Sequence, residues 1–186
     1  MLVKFPTAIC ALALCFIATG AGAQTPVRDL DAQRAGMSAL GSLHGRWLGQ
    51  GERFLPDGKT YRFTQTMIIE PRSSGLVLTI SGQSLQQGEA LEHQPGTGSF
   101  AVVSFDERTR AYLLRSFGFG EMVEAKAELI APNVFRWTTA AGSALLRFTI
   151  DLTQPGIWNE LGERSGDGGK TWSPTNALVA YRTELR

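Results

Sequence analysis

Turn residues interrupt this sequence at short, regular intervals, and the segments between them alternate apolar with polar residues. Leu55-Pro56-Asp57-Gly58 is a strong hairpin signal, because proline presets one turn torsion and glycine permits a positive φ. Nine or ten short strands are predicted in this way, at 43–54, 60–70, 76–81, 100–105, 111–117, 122–130, 134–139, 144–152, 157–164 and 171–183. Strands at such even spacing favour an all-β chain that folds as an antiparallel barrel or sandwich.

Residues 43–54 predict the first long strand, around which the others would be laid in order. One face of this strand would carry a large aromatic residue followed by small ones, because side chains alternate with a period of two: Trp47, Gly49, Gly51 and Arg53. Small residues beside an indole suit a strongly curved sheet that packs closely over this large side chain. Residues 29–43 have a loosely helical spacing of apolar residues, which predicts a short N-terminal helix capped by Asp29 or Asp31.

The first residues have the pattern of a signal peptide, which predicts a periplasmic or secreted protein. Lys4 gives a positive beginning, residues 8–18 are uncharged and apolar, and Ala21-Gly22-Ala23 is a small-x-small cleavage site. We therefore predict a signal peptide at 1–23 and a single barrel domain at 24–186. A lipoprotein is the alternative, but Leu14 precedes Cys15 where a lipid-attachment site needs a small residue.

Charge and cysteine content exclude several classes of site and partner in the mature chain. Without Lys4, 17 basic residues balance 17 acidic ones, so we expect no nucleic-acid partner. Both cysteines lie in the predicted signal, which leaves no disulfide and no thiolate ligand. The two histidines, His44 and His93, have no metal-site spacing, so no metal and no cofactor are predicted. No stretch is long and apolar enough for a membrane-spanning segment.

The predicted inner wall combines aromatic residues with a few polar ones. Core packing is the default explanation for the aromatic residues, because small barrels fill themselves with side chains. Polar residues on the same face favour a ligand instead, because burying them is costly unless they pair. The candidate ligand-binding residues are Phe63, Gln65, Met67, Arg115, Trp137, Arg147, Trp158 and Glu160, with Arg147 and Glu160 as the first pair to examine. No catalytic residue is assigned.

The segment Ser165-Gly166-Asp167-Gly168-Gly169-Lys170-Thr171-Trp172 resembles the Asp-box hairpin of sialidase-like propellers. In such a turn the Asp167 carboxylate accepts backbone N–H groups and Trp172 packs beneath the hairpin. The pattern occurs once in this chain, whereas in propellers it recurs blade after blade. We therefore interpret Asp167 and Trp172 as structural residues of a stabilised turn.

The opening Leu43-x-Gly45-x-Trp47-x-Gly49-x-Gly51-Glu52 resembles that of calycin-like proteins, namely the lipocalin and nitrobindin-type barrels. Ser104-Phe105-Asp106, Trp158-x-Glu160 and the closing Tyr181-Arg182 resemble a family of secreted bacterial proteins of unknown function. The resemblance implies an up-and-down barrel of about 8–10 strands, in which Arg182 covers Trp47 through a cation–π contact. Nitrobindins ligate heme through a late histidine, but this sequence has none after His93.

These patterns lead to three hypotheses about function. The first is an exported barrel that binds a small apolar or amphipathic molecule in its interior. The second is a structural or interaction module, a homodimer with a side-chain-filled barrel, in which Ile68 and Val77 contribute to a partner surface. The third is an enzyme that uses Glu160 as an acid or base beside Arg147.

Overall fold

The computed structural model describes residues 27–88, 98–118 and 120–183. It contains one α-helix, α1 (Leu30–Ser38), two 3₁₀ turns (Gly41–Leu43 and Ser73–Gly75) and ten strands. The strands are β1 (Gly45–Phe54), β2 (Thr60–Arg72), β3 (Val77–Gln86), β4 (Gly98–Asp106), β5 (Ala111–Gly118), β6 (Glu121–Ala131), β7 (Val134–Ala141), β8 (Ala144–Asp151), β9 (Ile157–Ser165) and β10 (Ser173–Thr183).

The ten strands form one closed antiparallel barrel in which each strand pairs with its neighbours in sequence. β1 closes the barrel by pairing with β2 on one side and with β10 on the other, so that Trp47 lies opposite both Met67 and Arg182. Closure leaves no unpaired sheet edge. The prediction of an all-β, up-and-down barrel with a short N-terminal helix is confirmed.

The inner face of β1 carries the residues that the period-two pattern predicted. Trp47, Gly49 and Gly51 are buried, whereas Arg46, Leu48 and Gln50 between them are exposed. A Cβ atom on Gly51 would lie 2.4 Å from the ring of Phe63, so the missing side chain is what admits that ring to the interior. The interior beside the glycines is therefore filled by a side chain from the neighbouring strand, β2.

Helix α1 and the turn after it close one end of the barrel. Asp29 caps the helix by accepting the N–H of Ala32 at 2.9 Å. Gly36 allows the helix to approach the sheet, because a Cβ there would lie 2.3 Å from the ring of Phe105. The Tyr112 hydroxyl donates to the Gly36 carbonyl at 2.7 Å, which fixes the helix over the barrel end.

Trp47 fills the space beneath this cover. Its indole meets Trp158 edge-on at 5.5 Å, and its N–H donates to the Leu43 carbonyl at 2.9 Å. The guanidinium of Arg182 lies 4.5 Å from the centre of the Trp47 ring, which is the contact the sequence predicted. Arg182 also donates to the carbonyls of Ser42 and His44, so it connects the last strand to the turn before β1.

The turn between β9 and β10 is organised by the Asp167 carboxylate. It accepts the backbone N–H groups of Lys170 and Thr171, each at 3.0 Å, and the hydroxyls of Thr171 and Ser165 at 2.6 and 2.7 Å. These bonds, those from Thr171 foremost, lower the pKa of Asp167. Thr171 and Trp172 belong to the turn, so β10 begins two residues later than the predicted start at 171.

Two other predictions concern segments that lie partly or wholly outside the described residues. The strands predicted at 76–81 and 100–105 are longer than expected, because β3 continues along β2 as far as Gln86 and β4 begins at Gly98. Residues 89–97, which include His93, lie outside the described residues, and so does the predicted signal peptide at 1–23.

Candidate functional site

The barrel interior contains a cavity of about 210 Å³ between the cover of α1 and the opposite end. Ten large aromatic and aliphatic side chains from seven strands form most of its wall, together with Leu43 from the covering turn. Trp137 and Phe148 stack in parallel there, with ring centres 4.2 Å apart. The ten strand residues are Phe63, Met67, Ile80, Leu114, Phe135, Trp137, Phe148, Ile150, Trp158 and Leu178.

Three polar side chains, Arg53, Glu160 and Asn176, meet on one side of this cavity. We call these three residues the polar cluster. The Glu160 carboxylate accepts the indole N–H of Trp158 at 3.2 Å and the side-chain amide of Asn176 at 3.4 Å. Burial raises the pKa of Glu160, while the two hydrogen bonds and the positive charge of Arg53 oppose that rise.

Local backbone features give the polar cluster its space. Arg53 and Asn176 are direct partners across β1 and β10, and Asn176 is paired with Gly162 on β9. A Cβ on Gly162 would lie 2.0 Å from the Asn176 side-chain oxygen, so only glycine leaves room for this amide. A bulge between Pro174 and Asn176 shifts the register at the same point, as bulges near functional sites often do.

Smaller polar groups line the part of the cavity formed by β2 to β5. Gln65, Ser99 and Ser116 face inward there, and Gly82 leaves room between the first two of them. The Gln65 amide donates to the Thr66 carbonyl at 3.3 Å. This wall can offer hydroxyl and amide groups to a bound molecule without bringing another charge into the cavity.

Six of the eight predicted ligand-binding residues are brought together on the cavity wall: Phe63, Gln65, Met67, Trp137, Trp158 and Glu160. Arg115 and Arg147 are not among them, and their placement on the inner wall was wrong. Arg115 pairs with Glu124 at 2.8 Å on the outer face. Arg147 pairs with Glu163 at 2.8 Å and stacks on Trp172 at 3.9 Å, also outside the barrel.

The pairing of Arg147 with Glu160 was therefore wrong as well. Arg147 lies opposite Glu163 across β8 and β9, whereas Glu160 lies opposite Ile150. Outward placement keeps each arginine in contact with water and a carboxylate, and avoids the cost of burying a charge. The charged neighbour of Glu160 is Arg53, a residue that the sequence placed on the inner face without assigning it a role.

Asn176 is the second residue that sequence reasoning missed. The signal for it is the period of two counted back from Arg182, because Ala180 and Leu178 are buried on the same face of β10. Once Arg182 is assigned to cover Trp47, this count places Asn176 at the cavity.

Glu160→Gln is expected to stabilise the protein at neutral pH. Because the folded-state pKa of Glu160 is raised above its ordinary value of 4.5, the folded state binds the proton more tightly than the unfolded state. The contribution of Glu160 to the stability of the wild type therefore falls as the pH rises from about 4.5 through the folded-state pKa. Glutamine does not titrate, so the advantage of the variant should be largest at neutral pH and vanish in acid.

Urea unfolding of both proteins over a series of pH values measures this effect. Glu163→Gln is the matched control, because Glu163 lies on the same strand but pairs with Arg147 on the outer wall. It should give no gain at any pH. A difference between Glu160→Gln and the wild type that does not change with pH would contradict the assignment.

Within residues 27–88, 98–118 and 120–183, no group of three histidine, cysteine, aspartate or glutamate residues could hold a metal ion. In the same part of the chain, no helix has the length and apolar character needed to cross a membrane.

The barrel is similar in fold to solved structures of very different sequence. One is the S-type phycobiliprotein lyase CPES from Guillardia theta, with a TM-score of 0.56 and 11% identity over 80% of this chain and 93% of the lyase. Another is Rv2717c from M. tuberculosis, with a TM-score of 0.55 and 13% identity over 80% of this chain and 98% of that protein. No protein-family model and no curated protein matches the sequence.

Proposed function

We propose that this chain is an exported binding protein that takes up one small, mainly apolar molecule with a polar end group in the barrel interior. The observation that carries the proposal is the cavity of about 210 Å³, whose wall is aromatic and aliphatic except at the polar cluster and a few small groups. A concave apolar site with a few convergent polar groups is the usual form of a small-molecule site.

Strand number supports an interior site. The diameter of a barrel grows with the number of its strands, and about eight strands leave an interior just wide enough for side chains or one small ligand. The ten strands of this barrel enclose more space. β1 places no side chain in the interior between Trp47 and Arg53, because its two inward positions there are glycines. The extra width therefore remains open at the cavity.

The size of the cavity restricts the ligand. Sites for drug-sized molecules have volumes of roughly 300–1,000 Å³, so about 210 Å³ favours a smaller molecule or a single flexible chain. Export is supported by the signal-like sequence of residues 1–23, with its positive start, apolar run and small-residue cleavage site.

The homodimer stays a prediction. Ile68 and Val77, the residues first suggested for a partner surface, are only partly exposed. More exposed apolar side chains lie on the outer faces of β1 and β10, where Leu48 and its direct partner Tyr181 are 48% and 58% exposed.

Ser116→Leu should block the cavity and weaken binding of a small apolar alcohol such as 1-octanol. Ser116 faces the cavity from β5, so a leucine there takes up space that the ligand needs. We expect at least about a tenfold loss of affinity, equivalent to about 1.4 kcal/mol. Isothermal titration calorimetry with the wild type and the variant measures it.

Ser81→Leu is the matched control, because Ser81 is an exposed serine on the outer face of the neighbouring β3–β4 wall. Its affinity for 1-octanol should equal that of the wild type. If 1-octanol does not bind, or binds both variants equally, the interior-site proposal fails. Native mass spectrometry of protein purified from its own host would then show whether any ligand is retained.

A further inference from the structure

Arg53 is a charged side chain at the cavity whose N–H groups have no acceptor among the described residues. Its guanidinium lies 5.7 Å from the centre of the Phe63 ring, and it forms no hydrogen bond or ion pair with any described residue. The side chain is only partly exposed. Arginine stays protonated at all ordinary pH values, so its five N–H donors remain charged and need acceptors.

Several arginines on the outer wall pair with carboxylates, and others without such a partner among the described residues, such as Arg46 and Arg164, are exposed to water, which supplies acceptors. Arg62, Arg115 and Arg147 each have a carboxylate partner, at 3.1, 2.8 and 2.8 Å. These three residues lie beside water and still pair within the protein. Arg53 faces the interior, where an unmade hydrogen bond costs more than it does at the surface.

Glu160 does not neutralise Arg53 by direct contact. Its carboxylate acts on Arg53 through charge alone, and its oxygens already accept hydrogen bonds from Trp158 and Asn176. Asn176, the cross-strand neighbour of Arg53, is held toward Glu160 by this bond. The guanidinium is therefore left facing the cavity with its donors available.

We propose that the ligand of this cavity is a monocarboxylate whose carboxylate is bound by Arg53, with its apolar chain lying against the aromatic wall. This inference rests on the proposed function and names the chemical class of the ligand. The planar guanidinium matches a carboxylate in a two-point contact. Among the described lining residues Arg53 is the only cationic one, and burial raises the pKa of Glu160 and so favours its neutral form. The site can therefore balance one negative charge of a ligand and not the two of a phosphate monoester.

The direction of the bound molecule follows from the strand order. β1 runs from the turn beneath α1 toward the opposite end, so Arg53 lies near the end away from the helix. Leu43 and Met67 lie on the cavity wall toward α1, because Met67 pairs with Trp47 at the start of β1. The carboxylate would therefore lie toward the end opposite α1, with the chain pointing to the helix.

Three probes with the same eight-carbon chain and different head groups test the proposal: octanoate, octanamide and octylammonium. Calorimetry with the wild type should give the tightest binding for octanoate, about tenfold to hundredfold tighter than octanamide, the range expected of a hydrogen-bonded charge. Octylammonium should bind more weakly than octanamide, because Arg53 repels it.

Arg53→Met then removes the charge while it keeps an unbranched side chain of similar bulk. Octanoate should lose about tenfold to hundredfold in affinity, while octanamide should change by no more than about twofold, which also shows that the variant is folded. Arg62→Met is the matched control, because Arg62 lies on the neighbouring strand but pairs with Glu52 on the outer face. It should leave the affinities for all three probes unchanged.

The two proposals fail in different ways. If octanamide or octylammonium binds the wild type as tightly as octanoate, or if Arg53→Met does not weaken octanoate, the carboxylate inference is overturned and the interior site stands. If none of the probes binds, 1-octanol included, the proposed function fails and the inference fails with it.

Discussion

Trp47→Ala should lower the free energy of unfolding by about 3–5 kcal/mol, the usual cost of removing a large buried aromatic side chain. Trp47 is 2% exposed and packs against Trp158, while its N–H is bound by the Leu43 carbonyl. The flanking inward positions of β1 are Gly45 and Gly49, which have no side chains to fill the hole. Urea unfolding followed by circular dichroism measures the loss.

Trp172→Ala is the control for removing an indole as such. Trp172 lies partly exposed in the β9–β10 turn, where it contacts Arg147 and the Gly169 carbonyl. Its removal should cost clearly less than that of Trp47. Equal losses for the two variants would contradict the role of Trp47 as the plug of the barrel end.

A double-mutant cycle tests the contact between Trp47 and Arg182. Arg182→Ala should cost about 1–2 kcal/mol through lost stacking and packing. The double variant should lose less than the sum of the single losses by about 0.5–1 kcal/mol, the range of a cation–π contact at an exposed site. The coupling is partial because Arg182 keeps its bonds to the carbonyls of Ser42 and His44. Strict additivity would mean that the two side chains do not interact.

The barrel could be predicted because its signals are local. Turn residues mark the strand ends, and a period of two with Trp47 as reference assigns the faces of β1 and β2. Arg182 could be placed by resemblance, and the structure has it opposite Trp47. Each of these inferences needs only residues on one strand or on two neighbouring strands.

The two misplaced arginines lie in strands whose pattern is ambiguous. Leu113 and Leu114 are adjacent before Arg115, and Leu145 and Leu146 are adjacent before Arg147. With an apolar residue on both faces, either parity is consistent with the sequence, and a shift by one residue exchanges inside and outside. In the structure Leu114 and Ser116 face the cavity, which leaves Arg115 outside.

The cavity could not be predicted from any one strand, because its volume depends on side chains that nine of the ten strands place inside. The polar cluster shows the same limit. Arg53, Asn176 and Glu160 come from β1, β10 and β9, and they meet only because the barrel closes between β1 and β10. Sequence alone could assign Arg53 to the inner face, but it could not show that no described residue forms a hydrogen bond or an ion pair with the guanidinium.

Gly49→Val should destabilise the protein by about 3 kcal/mol, at the upper end of the usual cost of overpacking. Strand propensity alone would predict the opposite sign, because valine is favoured in strands and glycine is not. The difference arises from the neighbouring backbone. A Cβ on Gly49 would lie 2.4 Å from the Val179 carbonyl oxygen and 2.7 Å from the Ala180 Cα, and neither can move without disturbing the β1–β10 pairing that closes the barrel.

Gly98→Val separates this clash from the general effect of valine in a strand. Gly98 begins β4, and a Cβ there would meet no atom within 4 Å, so its replacement should change stability by no more than about 0.5 kcal/mol. Thermal unfolding of both variants gives the comparison. If Gly49→Val is as stable as Gly98→Val, the backbone around Gly49 can move to accept a side chain. Closure of the barrel over Trp47 would then not require glycine on the inner face of β1. A large loss at Gly49 alone would mean that closure depends on glycine at this position.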